Sequence, residues 1–211
     1  MLPREQYYEN LSKKIIKSLE KRNMVGYYYP TKDEAIKQVL NLIDKESTVS
    51  WGGSMTLHET GLLEALKKEN LTLLDRSQCS SPEEIHELYH QALSADYYLM
   101  STNAITMDGK LVNIDGNGNR LAALIYGPRN VIIVVGMNKV VLDEEAGLKR
   151  VRNEASPINT VRLNMNTPCS KIGHCHDCLC EDTICCQTVI TRMSRHPGRI
   201  NVILIGEEYG Y

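Results

Sequence analysis

The chain contains no phenylalanine and a single tryptophan, so its aromatic packing falls to 11 tyrosines among 211 residues. The run Tyr27, Tyr28, Tyr29 carries no functional signal of its own. Also missing are an apolar leader at the start and any apolar stretch long enough to cross a bilayer. These absences predict no membrane insertion and a cytoplasmic, reducing compartment. Charge of one sign is not in excess: 24 Lys and Arg face 26 Asp and Glu, for a formal net charge of -2. That balance argues against nucleic acid as the partner. The densest basic stretch is Lys13, Lys14, Lys17, Lys21 and Arg22, interleaved with Leu11, Ile15, Ile16 and Leu19 at helical spacing. It reads as the solvated face of a helix. No internal repeat or low-complexity linker interrupts the chain, which predicts one domain over residues 1–211.

Cysteine is almost absent upstream, where Cys79 stands alone, and then six of the seven fall between Cys169 and Cys186. A chain of this length buries an adequate core without crosslinks, and a reducing compartment disfavours disulfides. The cluster therefore calls for chemistry or local bracing rather than stapling.

Helical and extended signals alternate along the chain. Helices are predicted over residues 4–21, 32–43, 57–67, 82–93, 119–125 and 143–152. Strands are predicted over 24–29, 48–51, 71–74, 97–100, 131–136 and 201–205, with a hairpin turning at Asp108-Gly109. The run VIIVVG at Val131–Gly136 is apolar on both faces, as a central parallel strand requires. The expected fold class is α/β, a mostly parallel sheet flanked by helices, with a C-terminal metal-binding segment at 168–186.

In such a sheet, ligands gather beyond the C-terminal strand ends. Two motifs fall there. In SWGGSMTLHETG, Ser50–Gly61, a strand runs into Gly52 and Gly53, and Ser54 and Thr56 stand where a helix opens. This suits a phosphate or carboxylate at the helix N-terminus, and it suits an ordinary tight turn equally well. His58 and Glu59 lie close by, and Glu59 also fits a helix-terminal charge. The second motif runs from Ser101 to Ala123 and gathers Asn113, Asp115, Asn117, Asn119 and Arg120 around Gly116 and Gly118. It reads as a ligand-facing loop in which Arg120 clamps an anion and Asn119 caps a helix, or as a turn that needs left-handed dihedrals. The calcium-loop pattern fails for want of its final Glu.

Within the cysteine segment, Cys175 and Cys178 form a CxxC pair to which Cys169 and Cys185 add two thiolates. Four sulfurs satisfy a [4Fe-4S] cluster or a tetrahedral zinc ion. Cys180 and Cys186 are alternative ligands, and His174 and His176 flank Cys175. Thiol exchange is a lesser reading, because the pair does not begin a helix after a strand.

Taken in order, these motifs, with YGPRNVIIVVGMNK at Tyr126–Lys139 and the closing VILIGEEYGY, give the chain a resemblance to the LUD-domain family of lactate-utilization proteins, in the short form with a C-terminal cysteine cluster. The resemblance spans nearly the whole chain. It implies a fold similar to the sugar-phosphate isomerase and CoA-transferase group. Gly52, Gly53 and Ser54 would border the pocket with Asn103, Asn113, Asp115, Asn117, Asn119 and Arg120, and the motif itself adds Thr56 and Glu59 as candidate contacts. The family's recurring cysteines map onto Cys169, Cys175, Cys178 and Cys185, leaving Cys180 and Cys186 as extras. LUD proteins accompany iron-sulfur subunits in oxidising lactate to pyruvate, so a small anionic metabolite and a redox protein partner are expected. The alternatives are isomerase or transferase chemistry beside a structural zinc, or a non-enzymatic metabolite-binding or assembly subunit. A homodimer is expected on the general prevalence of symmetric oligomers.

Overall fold

The structure, a computed structural model, describes residues 2–211. In chain order its elements are α1 (Pro3–Glu20), β1 (Val25–Tyr29), α2 (Lys32–Leu42), β2 (Thr48–Trp51), α3 (Met55–Glu59), α4 (Leu62–Leu66), β3 (Thr72–Leu74), α5 (Pro82–Ala92), β4 (Tyr97–Met100), β5 (Ala104–Thr106), β6 (Leu111–Asp115), α6 (Asn119–Tyr126), β7 (Asn130–Gly136), β8 (Val140–Val141), α7 (Glu144–Arg150), α8 (Ser156–Arg162), α9 (Pro168–Ile172), β9 (Gln187–Thr191) and β10 (Ile200–Ile205). Six strands form a sheet in the order β1-β10-β7-β4-β2-β3, and every pairing in it is parallel. The α/β expectation holds.

Strand periodicity explains how both faces are covered. Val131, Ile133 and Val135 join Val202, Leu204, Tyr98 and Met100 in a core closed by α1 and α6. The intervening Ile132 and Val134 join Ile203, Leu99 and Tyr97 in a second core closed by α2, α3 and α4. A run apolar at every position is what two-sided burial demands. Among the described residues, no helix is long and apolar enough to cross a membrane.

Three features depart from the sequence reading. The helix expected over 57–67 is split into α3 and α4, because Gly61 takes φ +82 and breaks the hydrogen-bond ladder. The helix expected to end at residue 152 continues through a π-helical turn, Val151–Ala155, into α8. A second sheet, β8-β5-β6-β9, stands beside the first. The predicted hairpin supplies its antiparallel β5–β6 pair, and β9 adds to β6 directly after the cysteine segment.

Candidate functional site

A cavity of about 550 Å³ opens where β2, β3, β4 and β7 end, bounded on the far side by α8 and the cysteine segment. Its volume suits a small metabolite. Gly53 and Ser54 border it from the first motif, and Asn103, Asp115, Asn117, Asn119 and Arg120 from the second. The two motifs, far apart in sequence, thus meet on one cavity as expected. Gly52, Thr56, Glu59 and Asn113 do not line it. Gly52 is buried beneath Tyr98 and Arg120. Thr56 is fully buried and donates to Tyr209 O at 3.2 Å. Glu59 is turned to the C-terminal tail, where its Oε2 accepts from Gly210 N at 2.7 Å.

The local origin of positive charge also differs from expectation. Ser54 caps α3 by accepting from Leu57 N at 3.4 Å, but α3 is only five residues long. So short a helix contributes little dipole to an anion. The glycine loop serves instead to admit a side chain. A Cβ on Gly53 would lie 2.7 Å from Arg76 Nη2, so glycine lets the guanidinium lie against the loop.

Arg120 borders the cavity, yet its guanidinium is committed to the protein. Nη1 donates to Asn113 Oδ1 at 2.7 Å and Ser101 O at 3.3 Å. Nη2 donates to Ile114 O at 2.9 Å and Asn103 Oδ1 at 3.1 Å, and Nε lies 3.6 Å from Asp115 Oδ1. The planar fork thereby ties α6, β6 and the loop after β4 together, which makes it a brace rather than the anion clamp read from sequence. Asn113 is buried beneath it as a relay, its Oδ1 also accepting from Asn103 N at 3.2 Å. Asn113 Nδ2 and Asp115 Oδ2 are buried without a partner. Asn119 does not cap α6: Gly118, at φ +82, holds that position without a side-chain bond.

The cations available to a ligand are ones the sequence reading missed. Arg76, Lys139 and Arg162 line the cavity with Arg120, against two acids, Asp115 and Glu181. Among the described residues, none of the three missed cations pairs with a carboxylate. Arg76 Nη1 donates to Tyr89 Oη at 3.1 Å and Arg162 Nη2 to Asn159 Oδ1 at 2.8 Å, and both residues are exposed at the rim. Lys139 is 3% exposed. Its Nζ lies 2.8 Å from Thr56 Oγ1 and 3.1 Å from Ser101 Oγ. Burial, reinforced by the Arg150 and Arg120 charges, pulls its pKa down to about 7.

The cysteine segment forms the opposite wall through Glu181, Thr183, Ile184 and Cys186. It is anchored at one end by α9 and at the other by β9, and Cys186 N donates to Asp115 O at 2.9 Å. Cys169 is buried, with Thr167 Oγ1 at 3.3 Å and Thr160 Oγ1 at 3.5 Å. Cys185 is exposed as a residue, but its sulfur turns inward to lie 3.4 Å from Ser156 Oγ. Burial pushes the Cys185 thiol up, the Ser156 contact opposes this, and the neighbouring thiols of Cys175, Cys169 and Cys178 add to the rise. The four cysteines singled out from the sequence thus share one neighbourhood. Cys180 Sγ is also 3.7 Å from Cys178 Sγ. His174 and His176 are exposed and face each other, Nε2 to Nε2 at 3.1 Å. Among the described residues, no three His, Cys, Asp or Glu side chains are grouped closely enough to hold a single metal ion.

One solved structure agrees with this architecture. A DUF162 family protein from Deinococcus radiodurans, known from its crystal structure, superimposes with a TM-score of 0.55 at 12% identity, over 94% of this chain and 98% of that one. Such a likeness concerns the fold. The eIF2B delta subunit from Chaetomium thermophilum reaches a TM-score of 0.37 at 18% identity, over 68% of this chain and 55% of that one. No curated protein matches the chain. The LUD domain model matches residues 12–205, and the chain therefore belongs to the LUD domain family.

Proposed function

We propose that this chain binds a small carboxylate or phosphorylated metabolite in the cavity and holds a [4Fe-4S] cluster on Cys169, Cys175, Cys178 and Cys185 for electron exchange beside it. The observation that carries the reading is the shared wall: the segment that bears the thiols also closes the cavity, through Glu181, Thr183, Ile184 and Cys186. The donor set supports it, since Cys169, Cys175 and Cys178 lie near enough to Cys185 for their charges to bear on its thiol, and soft thiolates are the donors such a cluster takes. When bound, the cluster supplies one-electron transfer, so a redox protein partner belongs to the reading. The family's association with lactate utilization makes a lactate-like hydroxy acid the first metabolite to try.

The chain's own residues have separable tasks. Arg76 and Arg162, unpaired at the rim, attract and orient the anion. Arg120, anchored by Asn103, Asn113 and Asp115, holds the floor in shape. Lys139, held by Thr56 and Ser101, is the buried cation of the wall.

The test is iron and acid-labile sulfide analysis on protein purified without oxygen, with absorption and electron paramagnetic resonance spectra before and after reduction. About four irons and four sulfides per chain is the expected result. Neither iron nor sulfide sinks the redox half. About one zinc without sulfide makes the segment structural and moves the reading to isomerase or transferase chemistry, for which product would form without an added electron acceptor.

A further inference from the structure

A lysine nine-tenths or more removed from solvent without a carboxylate partner is costly unless its surroundings favour the neutral amine. Lys139 is such a residue, and it sits in the cavity wall rather than in the apolar core. Its hydrogen bonds define what remains available. The Thr56 hydroxyl donates to Tyr209 O and the Ser101 hydroxyl donates to Thr102 O. With those hydroxyl protons so directed, at 3.2 and 3.4 Å, both oxygens accept from Lys139, at 2.8 and 3.1 Å. A neutral amine has two N–H bonds and one lone pair. With both N–H groups held by hydroxyls, the lone pair is the one position of the nitrogen left for a ligand.

From this geometry we propose that Lys139 is a nucleophile that forms an imine with a small oxo acid, an aldehyde or ketone bearing a carboxylate, bound in the cavity. The amine nitrogen attacks the carbonyl carbon, and the carbonyl oxygen takes a proton from that nitrogen to give a carbinolamine. The C–O bond then breaks and water leaves, so amine and oxo acid become imine and water with no oxidant or reductant consumed. Ser101, whose Oγ accepts from Lys139 and which borders the cavity, passes the proton between nitrogen and departing oxygen by turning its hydroxyl away from Thr102 O. The carboxylate end is served by Arg76 and Arg162 at the rim, so the proposal rests on the anion-pocket half of the functional reading and not on its iron-sulfur half.

The charges around the amine keep it reactive at neutral pH. Burial acts first, then Arg150 from α7 and Arg120 from α6, against Glu59 from α3 and Glu154 from the π-helical turn, leaving a pKa of about 7. With a pKa of about 7, on the order of half of Lys139 is neutral at pH 7, against roughly one part in 2,500 for a lysine of ordinary pKa near 10.4. The ratio is about a thousandfold in nucleophile concentration. Lys149, 71% exposed and paired with Glu145, is the internal reference.

The experiment is reductive trapping of the intact chain with glyoxylate and borohydride at pH 7, followed by peptide mass spectrometry. N-carboxymethyl-lysine at position 139 exceeding that at Lys149 by more than about tenfold is expected, given the thousandfold ratio above, and Lys139→Met removes it. Adducts on surface lysines with Lys139 unmodified overturn the proposal. Equal trapping of glyoxylate and of glycolaldehyde, which lacks the carboxylate, overturns the oxo-acid assignment and the anion-pocket reading with it. A preparation that carries iron and sulfide but gives no adduct sinks the imine alone, and one that gives the adduct without iron sinks only the redox reading.

Discussion

Arg120→Ala is expected to destabilise the whole domain more than it weakens anion binding. The side chain is 11% exposed and its guanidinium makes four hydrogen bonds, to Asn113, Ser101, Asn103 and Ile114, besides its approach to Asp115. Charge-assisted bonds contribute about 1.5–3 kcal/mol each when taken singly, but four on one group do not add. Two acceptors keep a second donor after the truncation: Asn113 Oδ1 retains Asn103 N, and Asn103 Oδ1 retains Ile114 N. Asp115 is left with a carboxylate whose Oδ2 is already buried and unpartnered. The balance resembles breaking one buried ion pair, a loss of about 3–5 kcal/mol.

For a chain of this length that loss corresponds to a fall of about 6–20 °C in Tm, at about 2–4 °C per kcal/mol. Thermal and urea unfolding of wild type, Arg120→Ala and Arg120→Lys measure it. Lysine restores the charge but not the planar fork, so it should recover less than half of the loss. If Arg120→Ala costs less than about 1 kcal/mol, the level of an exposed ion pair, while anion affinity falls more than about tenfold, Arg120 is the clamp read from sequence and the bracing argument fails.

Lys139 gives a pH signature: its folded pKa lies below its unfolded value, so between about pH 7 and pH 10.4 the unfolded chain binds the extra proton and stability rises with pH, by at most about 1.4 kcal/mol per unit. Lys139→Met should flatten that slope, and denaturation midpoints from pH 6 to 10 that keep it unchanged refute the assignment. Serine at Cys169, Cys175, Cys178 or Cys185 should each lower bound iron by more than half, whereas Cys180→Ser and Cys186→Ser should retain it, as read by iron analysis of anaerobic protein. Gly53→Ala puts a Cβ where Arg76 lies and should shift that flexible side chain, raising the Kd for a small carboxylate in calorimetry with little change in Tm. Gly61→Ala meets open space but a φ of +82, so a loss of about 1–2 kcal/mol in urea unfolding is expected from backbone strain alone.

The parallel sheet was legible because burial on both faces leaves an uninterrupted apolar run, and Val131–Gly136 shows it plainly. The second sheet was not. Its β5 and β8 are three and two residues long, too short for a period to emerge, and β9 is polar at Gln187 and Thr188. Seven of the eleven expected binding residues reached the cavity wall, because two loops at strand ends converge there whatever lies between them. The cations were missed for a different reason. Arg76 and Lys139 come from the turns after β3 and β7 and Arg162 from the end of α8, and each alone reads as a surface charge. Position held a usable signal for one of them: Lys139 lies three residues beyond the end of β7, where side chains of a parallel sheet face ligands.

The cysteine segment and the cavity floor are also mechanically one piece. Cys186 N bonds Asp115 O, Asp115 approaches Arg120, and Arg120 reaches through Asn103 and Ser101 to the loop after β4. Ser101 in turn touches Lys139. A rearrangement of the thiols therefore has a short polar path to the amine, through groups whose alternatives in a buried setting are costly. The buried Asp115 Oδ2 and Asn113 Nδ2 lie on that path without partners. A change in the position of the cysteine segment would consequently act on the shape of the cavity, through the same residues that make up its floor.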